Sequence, residues 1–388
     1  MNNFEFYNSV RICFGKGEIA KLSTLVPRDA RIMLTYGGGS IKKNGVYDQV
    51  ISALSGFNII GFGGIEANPH YETLMKAVAL VKANKIDFLL AVGGGSVLDG
   101  TKFIAAAALW EGADPWDIMT RRNHATVKKA IPIGTVLTLP ATGSEMNGTG
   151  VITKWETKDK LAFASEHTLP RFSILDPEVV FSLPQIQISN GIVDAFIHVM
   201  EQYLTYPANA PVQDRFAESI LITLIEEGPK VLADRSDYNA AANFMWAATM
   251  ALNGLIGAGV PQDWATHMIG HELTAFHGID HGQTLCIVLP GIMRVKRENK
   301  QEKMLQYGER VWKITEGTVD ERIEAIIEKT VHFFESVGIK TKLSDYGVGS
   351  EIIPKVVNRF INRGIKAIGE RGDLTTDDIA RILELQLK

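Results

Sequence analysis

One carboxylate and a group of imidazoles in the second half of the chain are spaced as ligands for a single metal ion. Asp194 and His198 lie four residues apart in GIVDAFIHVMEQYL, so on a helix they share one face. His267 opens HMIGHELTAFHGIDHG, and His281 follows after a turn marked by glycines. Mixed oxygen and nitrogen ligands that leave one coordination position free make a divalent cation a Lewis acid for a substrate oxygen.

The spacing leaves the choice among the later histidines partly open. His267 and His271 are one helical turn apart, so spacing alone does not decide which of them binds metal, and His277 is the weakest candidate. A lone interior histidine is usually a hydrogen-bonded core residue, but four in one short segment favour metal. The pair His271-Glu272 resembles the start of an HExxH zinc-protease motif. Ala275 stands where the second histidine of that motif would be, so a metalloprotease is not expected.

Two glycine-rich segments in the first half are typical of a nucleotide site. The first, Tyr36-Gly37-Gly38-Gly39-Ser40, and the second, Gly93-Gly94-Gly95-Ser96, each follow an apolar strand and precede a helical pattern. Glycines let the backbone approach a ligand closely, and the start of the following helix offers free N–H groups to a pyrophosphate. Neither segment fits GxGxxG, so the ordinary Rossmann fingerprint is absent.

The first of these segments favours NADP over NAD. NAD-selective sites usually have an acidic residue at the end of this strand, which accepts hydrogen bonds from the ribose 2′-hydroxyl. This chain has no acidic residue there. Glycine amides with Ser40, and with Lys42 or Lys43 nearby, would tolerate a 2′-phosphate instead. A third segment, TLPATGSE (138–145), follows another strand, and its small hydroxyl residues could either line the cofactor or cap a helix.

Composition excludes several classes of protein. The 388 residues carry 40 Lys and Arg against 44 Asp and Glu, for a net charge of −4, so there is no basic footprint for nucleic acid. Cys13 and Cys286 are the only cysteines, which excludes a disulfide framework and a thiolate metal site. The chain shows no signal-peptide core and no apolar run long enough to span a bilayer. We therefore expect a cytoplasmic protein.

The elements that must hold these residues change in character near residues 180–184. Before that point, short apolar runs at 31–36, 57–62, 87–92, 130–140 and 171–177 alternate with helical patterns at 41–54 and 71–84, which predicts a parallel sheet covered on both faces. After it, helical periodicity dominates. We predict a dinucleotide-binding α/β domain at 1–182 and a helical metal domain at 183–388, with the site in a cleft between them. EFYNSVRICFG reads as an early strand or hairpin, pairing within its own domain or across a dimer.

Two motifs together resemble a known family, the iron-containing (group III) alcohol dehydrogenases. GGGSVLDGTK (93–102) is similar to that family's GGGSxxDxxK phosphate motif, and HMIGHELTAFHGIDHG (267–282) is similar to its second signature. The similarity covers essentially the whole chain and is closest to the branch of YqhD-type NADPH-dependent aldehyde reductases and butanol dehydrogenases. The resemblance implies a fold like that of dehydroquinate synthase, an α/β domain followed by an all-helical one.

The resemblance also assigns residues. It implies the metal ligands Asp194, His198, His267 and His281. It implies cofactor contacts at Gly37, Gly38, Gly39, Ser40, Gly94, Gly95, Ser96, Asp99, Thr138, Thr142 and Lys160. His271 is then left beside the metal, and His271 and Asp99 are the predicted catalytic residues. NAD-using relatives have Asp where this chain has Gly39, which agrees with the argument for NADP.

The predicted function is metal-dependent, reversible reduction of aldehydes to primary alcohols with NADP(H), by a homodimer that holds one Fe²⁺ or Zn²⁺ per chain. Imidazole suits both ions, so the ligands do not separate iron from zinc. The alternatives are a dehydroquinate-synthase-like lyase, a polyol dehydrogenase of the same superfamily and a non-catalytic ligand-binding protein. A lyase of that kind needs clustered basic residues for its substrate, and the stretch from Asp194 to His281 holds only Arg215, Lys230 and Arg235.

Overall fold

The computed structural model describes residues 1–120 and 127–388. Its strands are β1 (Arg11–Phe14), β2 (Arg31–Thr35), β3 (Asn58–Phe62), β4 (Phe88–Gly94), β5 (Ile133–Leu139), β6 (Thr149–Lys154), β7 (Asp159–Ala164), β8 (Phe172–Leu175), β9 (Ala367–Ile368) and β10 (Leu374–Thr375). Its first helices are α1 (Leu22–Leu25), α2 (Ser40–Lys43), α3 (Val46–Ala53), α4 (Tyr71–Ala83), α5 (Gly95–Ala108) and α6 (Asp117–Thr120). They are followed by α7 (Gln185–Tyr203), α8 (Pro211–Ala233), α9 (Tyr238–Ala251), α10 (Ala265–His277), α11 (His281–Val295), α12 (Arg297–Tyr307), α13 (Val319–Ser336), α14 (Ile352–Asn362) and α15 (Thr376–Glu384).

The chain folds into two compact units. One consists of Tyr7–Pro184 with Arg235–Thr249, and the other of Met1–Phe6, Gln185–Asp234 and Met250–Lys388. A parallel sheet followed by a helical region is the fold class that the sequence predicts, and that prediction is confirmed. The domain boundary at 182/183 stays a prediction. Among the described helices, none has both the length and the apolar character needed to cross a bilayer.

The first unit is built on a six-stranded parallel sheet in the order β1-β8-β5-β4-β2-β3. The five apolar runs found in the sequence correspond to β2, β3, β4, β5 and β8, because strands of a sheet covered on both faces are continuous apolar segments. Strand order reverses between β2 and β4. In sheets of this kind, the crevice at the carboxyl ends of two such strands is where ligands bind.

Two parts of this unit differ from the sequence-based expectation. The single helix expected at 41–54 is divided into α2 and α3, because Gly45 between them has a φ of 82° and ends the helical path. The antiparallel hairpin of β6 and β7 is not predicted by the sequence, because its strands mix apolar with polar residues and buried with half-buried positions. The early segment supplies β1, which pairs in parallel with β8 inside the unit.

The second unit is mostly helical, with one short antiparallel pair of strands, β9 and β10. Helices α10, α11, α14 and α15 contribute to one buried apolar cluster in it. Ile269 and Leu273 of α10 and Ile287 of α11 are fully buried in it. Burial of such side chains contributes roughly 1.5–3 kcal/mol each to folding. This packing fixes the two helices that carry the later histidines.

Candidate functional site

Three helices of the second unit bring the predicted metal ligands together. Helix α7 carries Asp194 and His198 one turn apart, α10 carries His267, and His281 is the first residue of α11. Helices α7 and α11 approach closely at Gly282, where a Cβ would lie 2.8 Å from the carbonyl oxygen of Asn190. A larger residue there would push His281 away from Asp194.

One carboxylate oxygen of Asp194 lies close to a ring nitrogen of each of the three histidines. Asp194 Oδ1 lies 3.6 Å from His198 Nε2, 3.8 Å from His267 Nε2 and 3.7 Å from His281 Nε2. The two nitrogens of His198 and His267 are 3.1 Å apart. Ligands about 2.1 Å from one ion in tetrahedral arrangement are separated by roughly 3.4 Å, so the three distances from Asp194 Oδ1 fit an ion better than direct hydrogen bonds.

Burial and charge agree with a cation site. Asp194 is almost completely buried, and its Oδ1 atom accepts no hydrogen bond within the described ranges. Burial raises the pKa of this carboxyl, but the nearby imidazoles of His198, His267 and His281 outweigh it and lower the pKa far below its usual value. A buried carboxylate that stays ionised and faces three ring nitrogens is a donor set suited to a divalent ion.

His271 lies beside this cluster. Its ring centroid is 5.2 Å from that of His281 and 6.1 Å from that of His267. The next residue, Glu272, is buried and accepts hydrogen bonds from Arg359 Nε at 3.0 Å and Arg363 Nη1 at 2.5 Å, which joins α10 to α14. Glu272 is therefore held by one guanidinium group on α14 and by a second on Arg363, the residue that follows the helix. His277 ends α10 as an exposed residue.

Sequence reasoning missed Glu201, which is buried at the end of α7. Its carboxylate accepts hydrogen bonds from His267 Nδ1 and, at 3.1 Å, from the backbone N–H of His267. Burial lowers the pKa of the His267 ring, but the charges and hydrogen bonds of Glu201 and Asp194 together outweigh it and raise the pKa to about 9. The spacing places Glu201 on the helix face of Asp194 and His198, seven positions after the first and three after the second, but it does not show that Glu201 contacts His267.

The predicted cofactor residues meet at one edge of the sheet in the first unit. Gly37–Ser40 follow β2, Gly94–Ser96 join β4 to α5, and Thr138 and Thr142 lie at the end of β5. These three strands are neighbours and parallel, so their carboxyl ends lie at the same edge, next to the point where the strand order reverses. The geometry suits a dinucleotide.

Asp99, predicted to be catalytic and to contact the cofactor, is held within the unit. Its Oδ1 accepts a hydrogen bond from Ser144 Oγ at 2.6 Å and its Oδ2 one from the Val151 N–H at 3.0 Å. Burial raises the pKa of this carboxyl, and the positive charges of Lys102 and Lys160 oppose the rise. Both oxygens thus fasten α5 to the segment that follows β5, and Lys160 of β7 lies within electrostatic reach.

Lys102 completes the same network. Its ammonium donates to Ser144 Oγ at 2.8 Å, Asn147 Oδ1 at 3.0 Å and the carbonyl oxygen of Thr149 at 2.8 Å. Burial lowers the pKa of Lys102 to about 8, against the opposing effect of Asp99 and Glu145. The motif GGGSVLDGTK therefore contains two residues, Asp99 and Lys102, that hold the loop after β5 in place.

Comparison with known proteins gives full-length matches. The model of the iron-containing alcohol dehydrogenase family matches residues 9–177, and the model of the C-terminal part of that family matches residues 188–387. The NADPH-dependent aldehyde reductase YqhD of Escherichia coli is 58% identical over 99% of each chain. The NADP-dependent alcohol dehydrogenase 3 of Entamoeba histolytica is 46% identical over 93% of each chain. The crystal structure of Escherichia coli YqhD superimposes with a TM-score of 0.97, at 57% identity and 99% coverage of each chain.

Proposed function

The chain belongs to the iron-containing alcohol dehydrogenase family, and we propose that Asp194, His198, His267 and His281 hold the metal ion at which it works. The protein reduces aldehydes to alcohols with NADP(H) and one divalent metal ion. The observation that supports the residue assignment is the buried carboxylate of Asp194, with three imidazole nitrogens between 3.6 and 3.8 Å from one of its oxygens. The lyase, polyol dehydrogenase and binding-protein alternatives are not favoured.

The bound groups and the protein divide the reaction between them. When bound, the ion polarises the carbonyl oxygen of the aldehyde and NADPH supplies the hydride. Asp194 and the three histidines fix the position of the ion, because each is anchored on a packed helix. His271, half-buried beside His281, is the residue we assign to hold and deliver the proton that the product alcohol requires.

We assign cofactor binding to the edge formed by Gly37–Ser40, Gly94–Ser96, Thr138 and Thr142, with Lys160 beside it. The segment Gly37–Ser40 would take the 2′-phosphate of NADPH, because it has no carboxylate to repel it. Lys42 adds a positive charge, and its ammonium lies 5.0 Å from the Tyr36 ring and 5.1 Å from the Tyr47 ring. We assign Asp99 to holding the loop after β5 through its hydrogen bonds, in electrostatic interaction with Lys102.

We also propose that the protein is a cytoplasmic homodimer. Strand β1 lies at the edge of the sheet, and Phe14 at its end makes an edge-to-face contact with Trp246, at 5.9 Å between ring centroids. Both rings are more than a third exposed, and Tyr7 is 64% exposed. An exposed edge strand beside exposed aromatic residues is a surface that a second copy can cover. Cys13 and Cys286 are buried and unpaired, which suits a reducing compartment.

The test is the oxidation of NADPH and of NADH with butanal, followed by absorbance, before and after chelation. Turnover that prefers NADPH, disappears with the chelator and returns with added Fe²⁺ or Zn²⁺ is the expected result. Turnover that survives complete removal of metal would contradict the assigned role of the ion. Light scattering of the same preparation gives the molar mass, and the mass of one chain would refute the homodimer.

A further inference from the structure

We propose that Glu201 is a positioning residue that presents His267 Nε2 to the metal ion, an inference that rests on the metal site proposed above. The carboxylate of Glu201 contacts Nδ1 of the His267 ring, whereas Nε2 of the same ring is the atom near Asp194 and His198. Glu201 therefore acts through His267. The predicted effect of losing it is therefore on metal affinity.

The hydrogen bonds of the ring fix which nitrogen is free. A carboxylate only accepts, so the Nδ1 atom of His267 that contacts Glu201 must carry a hydrogen. In the neutral ring the lone pair then belongs to Nε2. That nitrogen lies 3.1 Å from His198 Nε2 and 3.8 Å from Asp194 Oδ1, among the other proposed ligands. Without Glu201, the ring could adopt the other tautomer or turn about its χ2 angle.

Glu201 also holds the beginning of α10 through its main chain. Its carbonyl oxygen accepts a hydrogen bond from the Asp263 N–H at 2.7 Å, and Asp263 Oδ1 accepts one from the Ala265 N–H at 2.8 Å, at the first residue of α10. The other carboxylate oxygen of Asp263 lies 2.8 Å from Lys300 Nζ, which is itself buried. Both the main chain and the side chain of Glu201 thus help to fix the position of α10, the helix that carries His267.

The charge of Glu201 has its own effect. The residue is 3% exposed, so water does little to screen its carboxylate from the ring. A carboxylate that accepts from the far nitrogen of a ligating histidine makes the near nitrogen a stronger donor, and loss of such a partner typically costs about 10- to 100-fold in metal affinity. One face of α7 therefore carries two proposed metal ligands, Asp194 and His198. The same face carries Glu201, which positions a third proposed ligand, His267.

The test compares Glu201→Gln with a matched control, Glu218→Gln. Glutamine keeps the length of the side chain, but removes its charge and can no longer accept from both N–H groups of His267. Glu218 is also a buried glutamate of this unit, and it accepts hydrogen bonds from Tyr203 Oη at 2.9 Å and Arg310 Nη1 at 3.0 Å. The dissociation constant for Zn²⁺ is measured by competition with a chromophoric chelator, and the visible spectrum is recorded after loading with Co²⁺.

We expect Glu201→Gln to weaken Zn²⁺ binding by about 10- to 100-fold and to change the Co²⁺ spectrum, with Glu218→Gln within about twofold of wild type. Wild-type affinity in Glu201→Gln, or an equal loss in both variants, would overturn the inference. If Glu201→Gln does not fold, Glu201→Asp takes its place, since the shorter side chain withdraws the carboxylate from Nδ1 and should weaken binding by at least about tenfold. A wild-type protein that binds no Zn²⁺ and no Co²⁺ would instead refute the metal site itself.

Discussion

Replacing Gly38 by alanine tests whether the cofactor reaches the backbone of the first glycine segment. A Cβ at Gly38 would meet no protein atom within 4 Å, and the residue does not have a positive φ. The protein alone therefore has no steric need for glycine at this position. Alanine should leave the melting temperature unchanged or slightly raised, because Gly→Ala at a compatible position stabilises by about 0.4–1 kcal/mol through the unfolded chain.

The expected effect is on NADPH. A methyl group inserted into a close contact costs about 1–3 kcal/mol, which corresponds to an increase of about 5- to 150-fold in the dissociation constant at about 1.4 kcal/mol per tenfold. The measurement is NADPH affinity by fluorescence titration, with thermal unfolding of the cofactor-free protein alongside. Gly61→Ala is the matched control, because its added Cβ would make only an ordinary contact, 3.8 Å from Tyr36 Cε1.

The two measurements separate a ligand contact from a requirement of the fold. Unchanged NADPH affinity in Gly38→Ala would show that the cofactor does not approach the backbone there, and would refute the assignment of Gly38. A lower melting temperature without NADPH would show that the fold itself needs the glycine. Only weaker NADPH binding with an intact melting temperature agrees with the reasoning.

Three further substitutions test other parts of the site. Asp194→Ala should remove bound metal and butanal reduction together, and metal analysis with an NADPH assay would contradict the assigned role if turnover survived without metal. Gly39→Asp should weaken the binding of NADPH by at least about tenfold relative to that of NADH. It should also lower the melting temperature, because φ at this position is 97°. Equal loss of affinity for both cofactors would mean that the position does not contact the 2′-phosphate. Gly95→Ala places a Cβ 2.4 Å from Thr142 Oγ1, so urea unfolding should show a loss of about 1–3 kcal/mol, and wild-type stability would mean that Thr142 moves aside freely.

The sequence predicts the sheet and the ligand helices well because their patterns are local. Continuous apolar runs mark β2 to β5, and the separation of four between Asp194 and His198 needs only helical geometry. The break between α2 and α3 depends on the backbone conformation of Gly45, and a glycine at that position of the sequence indicates that a helix can end there. The hairpin of β6 and β7 has no comparable pattern, because its strands mix apolar with polar residues and buried with half-buried positions.

At the site, too, local features can be predicted and contacts between helices cannot. The identity of four candidate ligands follows from residue type and spacing, together with the family resemblance. The hydrogen-bond partner of each ligand depends on packing between helices. Glu201 contacts His267 across 66 positions of sequence, and nothing local indicates that pairing. For Asp99, the sequence motif indicates a cofactor site. Only the folded chain shows that its two carboxylate oxygens accept hydrogen bonds from Ser144 and Val151.

Those bonds affect how NADPH can bind. Helix α5 is joined to the loop after β5 by hydrogen bonds of Asp99 and Lys102 to Ser144, and Thr142 lies directly against Gly95. Ordering a free loop on binding would cost about 1–2 kcal/mol of backbone entropy for each residue fixed. Because α5 and the loop after β5 are already fixed to each other, a cofactor bound at the proposed edge would meet a preorganised surface and retain more of its contact energy as affinity. Association at this edge should therefore be a single fast phase, with no slow step of loop ordering after encounter.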